Sequence, residues 1–265
     1  MFGFLIKKNF CDGWDNLLSV VIVNLIFLLV GFGLVFVNAF AYATETILFQ
    51  ILAVMITCIV ASILIFAYGD TAAAIADFKG IRLLDYFKSF PGVLKDATLF
   101  GLLISVVLIL STFSIKYYFT ESQTLFGFFL GAAIMWIDVF FFLSMIWFLP
   151  IRSLMHNNFK KCLKKCFIIF FDNTGFTLAV ALYDLILVAF SVLFVGFLPS
   201  VSGILIANTN ALRLRLYKYD YLEEHPELTT KKERRQIPWE ELIYDDREAL
   251  GPRKLKSFIF PWKED

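Results

Sequence analysis

Five long apolar stretches constrain this chain more than any other feature of its sequence. They cover residues 17–40, 46–68, 97–115, 124–149 and 176–198, and each contains at most one charged residue. A helix needs about 20 apolar residues to cross about 30 Å of hydrocarbon. Only 18% of the residues are charged, whereas soluble domains carry about 25%. The sequence therefore predicts an all-α fold, a polytopic membrane helical bundle.

A sixth stretch, residues 201–216, is shorter and more polar, so hydropathy alone does not assign it. Lysine and arginine cluster at the N-terminus, after the second and fourth stretches and after Arg213, and only Lys116 falls in a loop on the opposite side. Basic loops stay cytoplasmic, so the two termini share a side and the number of crossings is even. We expect six transmembrane helices in residues 1–216, a cytoplasmic tail at residues 217–265, and a bacterial-type inner membrane.

Two cytoplasmic connectors and the tail have apolar side chains that we expect to be covered by lipid or by protein. The first connector repeats Ile81, Leu84, Phe87 and Phe90 at helical spacing, and the second, residues 155–167, sets apolar positions opposite four lysines. Such helices lie in the headgroup plane or bind a partner. In the tail, a short helix is predicted from Pro238 to Gly251. The apolar chain end, with Phe258, Phe260 and Trp262, predicts packing on this face or on another protein.

Two acidic residues lie inside predicted spans, where a charge costs about 2.5–3.5 kcal/mol. Counting back from a turn near Pro199 places Asp184 level with Arg213 and Arg215, which predicts an ion pair that Asn208 and Asn210 would complete. Asp138 is predicted either to be protonated or to meet Asn24. These residues either hold helices together or form a site for a transported proton or cation.

Other functional classes have little support in the sequence. The net charge of +1 provides no field for nucleic acid. Catalytic motifs and metal-ligand spacings are missing from the sequence, and Cys162 with Cys166 is too small a ligand set for zinc. We therefore expect neither an enzyme nor a cofactor or metal site, and we interpret the cysteines as apolar filling.

Residues 69–224 resemble the YesL-like family of bacterial membrane proteins. The resemblance rests on the following segments: residues 71–74, residues 85–90, Leu149-Pro150, residues 160–173, Leu198-Pro199 and residues 210–220. That family is associated with carbohydrate ABC importers, which implies an accessory role in sugar uptake. The chain departs from the family pattern in its full second span and its long tail.

A second resemblance concerns the first connector. Ala73-Ala74, Asp77, Gly80 and Pro91 have spacings similar to the coupling loop of ABC importer permeases, although Ala72 stands where that motif opens with an acidic residue. The resemblance implies that Asp77, Gly80, Phe87 and Phe90 form a docking surface. The leading hypothesis is a membrane accessory protein that contacts lipid and a protein partner, and the resemblance implies ABC transporter subunits as that partner. The alternative is a small transporter or channel that uses Asp138 and Asp184.

Overall fold

The computed structural model describes residues 1–122, 124–230 and 233–253, with the side chain of Arg235 excepted. These residues are 85% helical and contain no strand, which confirms the all-α class. The helices are, in order, α1 (Phe2–Asp15), α2 (Leu17–Ala43), α3 (Ile47–Ala76), α4 (Leu83–Lys116), α5 (Leu125–Met145), α6 (Phe148–Met155), α7 (Phe159–Asp172), α8 (Thr174–Leu193), α9 (Ser200–Glu224), α10 (Trp239–Leu242) and α11 (Tyr244–Leu250). A π-helical turn, Tyr117–Glu121, extends α4.

Five helical segments of the described residues are long and apolar enough to cross a membrane. They are α2, α3, α4 with its π-helical turn, α5 together with α6, and α8. All five coincide with the apolar stretches of the sequence, so the protein is a multi-pass membrane protein. The sixth predicted span lies within α9, which is not among these five, and the count of six remains a prediction.

Helix α9 is the central element of the bundle. It packs against α1, α2, α3, α6 and α8, and its residues Ile206, Ala207, Ala211 and Leu212 are buried. Its surroundings are therefore largely protein, which explains how it carries polar residues. The helix continues without a break to Glu224, so the predicted boundary between residues 216 and 217 lies inside a helix.

Helices α3 and α4 form the closest pair of the fold. A Cβ atom placed on Gly101 would lie 2.6 Å from the Cα atom of Ile59, so the two backbones touch where Gly101 has no side chain. Pro91 lies inside α4, and the first connector and the third predicted span consequently form one helix. Ser89 joins this helix to α3 by donating its hydroxyl to the carbonyl oxygen of Ala67 at 2.7 Å.

Helix α7 has the amphipathic pattern that the sequence predicted. Cys162 and Cys166 are buried, whereas Lys160, Lys161 and Lys164 are exposed. The basic face is thus open to solvent or to lipid headgroups, and the cysteines fill the interior.

The predicted tail helix exists as two short helices, α10 and α11. Ile243 and Leu250 are buried within the main apolar core, so this part of the tail packs on its own chain. Phe258, Phe260 and Trp262, which were expected to bind a partner, lie outside the described residues.

Candidate functional site

The second half of α9 is surrounded by polar contacts from α1, α3, α7 and α11. The first and last helices of the described residues, α1 and α11, both contact α9 here. We call this region the terminal end of the bundle. Four of the six predicted intramembrane polar residues lie on α9, and their actual partners decide what this region can do.

Arg213 binds two acidic residues and a carbonyl oxygen. Its guanidinium lies 2.9 Å from Asp77 Oδ1 and 3.1 Å from Asp246 Oδ1, and it donates to the carbonyl oxygen of Ala76. Its Nε atom donates to the hydroxyl of Tyr217 at 2.7 Å. One side chain therefore ties α9 to the end of α3 and to α11 of the tail.

A second cluster joins α1 to α9. Asn210 donates from Nδ2 to Asn9 Oδ1 and Asp12 Oδ2, each at 2.7 Å, and Lys8 lies 3.0 Å from Asp12. Burial lowers the pKa of Lys8 and raises the pKa of Asp12, although each charge counteracts the shift of the other. The Lys8 ammonium also lies 3.7 Å from the ring centre of Phe78, which favours its charged form.

Arg215 belongs to a third cluster, at the start of α8. Its guanidinium donates to Asn173 Oδ1 at 3.2 Å and lies 3.7 Å from the ring centre of Phe176. Next to it, Asp172 accepts from Tyr219 at 2.8 Å and from Lys218 at 3.2 Å. Burial opposes ionisation of Asp172, but these hydrogen bonds outweigh it and hold the pKa of Asp172 below its usual value.

The predicted ion pair between Asp184 and Arg213 or Arg215 is wrong. Both arginines are bound to the groups described above, and Asp184 lies instead beside Asn208. The Oδ1 atoms of Asp184 and Asn208 are buried without a hydrogen-bond partner among the described residues. Counting equal distances from the turn failed because acids from α3 and α11, which the count did not include, reach Arg213.

The expected contact between Asp138 and Asn24 is also wrong. Asp138 accepts a hydrogen bond from Ser111 Oγ at 2.8 Å, and this contact links α4 to α5. Asp138 and Asp184 therefore take part in separate contacts, one between α4 and α5 and the other between α8 and α9.

Asn24 binds the turn between α8 and α9, residues 194–199. Its Nδ2 atom donates to the carbonyl oxygens of Phe197 and Pro199, each at 2.9 Å. Its Oδ1 atom accepts from the backbone nitrogen of Ser202 at 3.1 Å and from the Ser202 hydroxyl at 2.8 Å. All the hydrogen-bonding capacity of this fully buried amide is used. In the sequence this role is indicated only by an asparagine within an apolar stretch, a feature that Asn24 shares with Asn38.

The residues of the predicted docking surface differ in how accessible they are. Gly80 and Phe87 are exposed, Asp77 is partly exposed and bound to Arg213, and Phe90 is half-buried against the core. The first connector thus exposes Phe87 and Gly80, while Asp77 and Phe90 fix its position.

The surface of the described residues includes the following two hollows. One lies on the apolar outside of α5, around Phe126 and Phe129. The other lies between α1 and α11, around Lys7 and Arg247. Neither is lined by Asp138 or Asp184.

Comparison with known proteins gives this chain no relative: no family model, no curated protein and no solved structure matches it.

Proposed function

We propose that this chain is a membrane interaction protein that binds a protein partner through the start of α4. We also propose that it resides in a bacterial-type cytoplasmic membrane with both termini in the cytoplasm, because its lysines and arginines gather at the connectors of that side. The YesL-like resemblance makes the subunits of a carbohydrate ABC importer the first candidates for the partner.

The observation that carries this proposal is an exposed apolar stripe on the first three turns of α4. Leu84 is 64% exposed, Phe87 48% and Leu94 46%, and Pro91 is exposed between them. This stripe precedes Ala97, where the apolar section of α4 begins. Contiguous exposed apolar surface marks contact with a protein or a membrane.

Buried aromatic side chains and a helix cap hold the stripe in a fixed position. Tyr86 is buried, and its ring packs against Tyr68 at 6.2 Å and Phe90 at 5.2 Å between centroids. At the start of α4, the Asp85 side chain accepts from the backbone nitrogen of Arg82 at 3.0 Å, which caps the helix. A partner would therefore meet a surface that is already ordered, which reduces the entropic cost of binding.

The charges beside the stripe indicate the chemistry of the partner. Arg82, Lys88 and Lys95 are exposed next to it, and Lys88 and Lys95 have no salt bridge among the described residues. An apolar cleft with an acidic rim would complement this surface, because charge complementarity favours encounter and register.

Affinity purification in mild detergent tests the proposal. The double variant Leu84→Ala/Phe87→Ala is compared with Ile168→Ala/Phe171→Ala, which removes two exposed apolar side chains from α7 instead. Two interface side chains at about 1–2 kcal/mol each predict a loss of tenfold or more of the co-purifying protein for the α4 variant. Equal recovery from both variants would disprove docking at α4.

The alternative is a small transporter or channel that uses Asp138 and Asp184. The observation in its favour is that the Oδ1 atom of Asp184 is buried without a hydrogen-bond partner among the described residues, since an ionisable residue inside a membrane protein is a default candidate for an ion or proton pathway. Proton or cation flux in proteoliposomes separates the two functions. A transporter loses flux on Asp184→Asn, whereas an interaction protein keeps its partner.

A further inference from the structure

We propose that α8 and α9 form a re-entrant hairpin, which enters the membrane from the terminal end and returns to it. Under this arrangement only α2, α3, α4 and α5 cross the bilayer. A six-crossing arrangement would instead expose the turn between α8 and α9 on the opposite face.

The depth of the turn follows from its contacts with α2. Asn24 binds the carbonyl oxygens of Phe197 and Pro199, and a Cβ atom on Gly196 would lie 2.7 Å from Leu28. Beyond Asn24, α2 continues for residues 25–43, about 28 Å at 1.5 Å per residue. That length is close to the whole hydrocarbon thickness of about 30 Å, so the turn ends far from the other face.

Contacts with α3 give the same depth. Ser202, at the start of α9, lies beside the hydroxyl of Tyr68. Two residues further along α3, Asp70 lies 3.5 Å from Arg152, which also contacts Asp96 at 3.2 Å. Charged side chains at this depth are expected close to a membrane surface. The turn therefore lies near the level of the Asp70, Arg152 and Asp96 charges.

The four remaining helices are long enough to cross the bilayer from this level to the opposite face. Residues 47–67 of α3, 97–116 of α4 and 125–145 of α5 continue beyond it, and each segment has the length of about 20 residues that one crossing requires. Helix α8 begins beside Trp147, whose indole nitrogen donates to Thr177 at 3.1 Å. The start of α8 thus contacts the residue pair that joins α5 to α6, and its other end leads into the turn beside Asn24 of α2.

The surface of the turn supports the same placement. Val192 and Leu193 are each 75% exposed and Val195 is 74% exposed, and residues 192–199 include no polar side chain. By contrast, the connection between α2 and α3 carries Thr44, Glu45 and Thr46. Exposed apolar residues are stable in lipid but costly in water, so the turn is suited to hydrocarbon.

The turn also meets the main requirement for irregular backbone inside a membrane, which is that protein groups satisfy its polar atoms. Asn24 binds two of its carbonyl oxygens and the nitrogen of Ser202, and Ser191 Oγ accepts from the backbone nitrogen of Ser200 at 2.8 Å. A water-exposed turn would not need these partners.

The distribution of lysine and arginine is compatible with this arrangement. The charge distribution requires an even number of crossings. Four crossings with one returning hairpin place the two termini on the same side, as six crossings would. The hairpin rests on the proposed function only for the orientation, because the cytoplasmic location of the termini defines which face is outside.

Cysteine labelling in intact cells tests the hairpin. Glu45→Cys, Val192→Cys and Val195→Cys are treated with a membrane-impermeant maleimide before and after detergent solubilisation, and the wild-type chain provides the background. We expect Glu45→Cys to react in intact cells. Val192→Cys and Val195→Cys should react at least tenfold less there and should become reactive after solubilisation, because both positions are exposed at the protein surface.

Labelling of Val195→Cys from outside as readily as Glu45→Cys would overturn the hairpin and establish the sixth crossing. A tag fused after Asp265 reports the side of the termini in the same cells. If the tag is external, the proposed orientation fails, and the same comparison in inside-out vesicles still decides whether the turn crosses.

Discussion

The replacement of Asn24 by alanine is the sharpest test of how the α8–α9 hairpin is held. The substitution removes an amide that binds two carbonyl oxygens of the turn and both the nitrogen and the hydroxyl of Ser202. Because Asn24 is fully buried, water cannot replace these bonds without opening the bundle. The hairpin should therefore loosen from α2.

The size of the effect follows from the number of bonds. Hydrogen bonds between membrane helices contribute about 0.6 kcal/mol each on average, and those of soluble proteins about 1 kcal/mol. Four bonds predict a loss of about 2–4 kcal/mol in the free energy of unfolding. Asn38 on the same helix provides the matched control, since among the described residues its one bond to another helix is to Thr57 Oγ1 at 2.6 Å. Asn38→Ala should cost about 1 kcal/mol or less.

The assay is equilibrium unfolding in mixed micelles of a mild detergent and dodecyl sulfate, followed by circular dichroism. A double-mutant cycle with Ser202→Ala isolates the direct contact, and we expect a coupling energy of about 0.5 kcal/mol or more. If Asn24→Ala destabilises the protein no more than Asn38→Ala, the turn is not held by this side chain and the reasoning is refuted.

Three further predictions concern other parts of the bundle. Gly101→Ala should destabilise the protein by about 1–3 kcal/mol because it forces two helix backbones apart, whereas Gly92→Ala, which meets no atom within 4 Å, should be neutral or stabilising by up to about 1 kcal/mol; unfolding curves compare them. Arg213→Ala should cost about 3 kcal/mol because it leaves the buried carboxylate of Asp246 without its arginine partner, and faster limited proteolysis of the tail should accompany the loss. Asp138→Asn should change stability by less than about 1 kcal/mol, since an amide oxygen still accepts from a serine; a larger change in the melting temperature than that of Arg213→Ala would contradict this.

Much of the fold can be predicted from the apolar stretches. All five reappear as helices, and the amphipathic pattern reappears in α7 from Phe159 onwards with its cysteines inside, whereas Met155 belongs to the end of α6. These predictions succeed because long apolar runs and helical periodicity are local properties of the chain. The helix predicted between Pro238 and Gly251 follows from equally local signals, a proline at the start and a glycine at the end, although a break at Ile243 divides it in two.

The polar contacts could not be predicted in the same way. Arg213 has partners 136 and 33 residues away along the chain, and no periodicity in the sequence records such distances. Asn24 was considered only as a partner for Asp138, whereas it binds a turn 173 residues away. Side-chain pairing inside a bundle depends on crossing angles and on which helices are neighbours, and a count of residues from a single turn includes neither.

The difficulty of assigning α9 has a physical cause. A hydropathy scale assumes that a helix is surrounded by lipid, but α9 is enclosed by five other helices that shield and pair its polar groups. A charge-distribution argument adds only that the number of crossings is even, and it treats a returning hairpin and two crossings as equivalent. Packing favours the returning hairpin proposed above, because the turn contacts Asn24 and α2 continues beyond that residue for about 28 Å. The polarity of α9 therefore reflects its place at the centre of the protein and is not evidence that the helix crosses the bilayer.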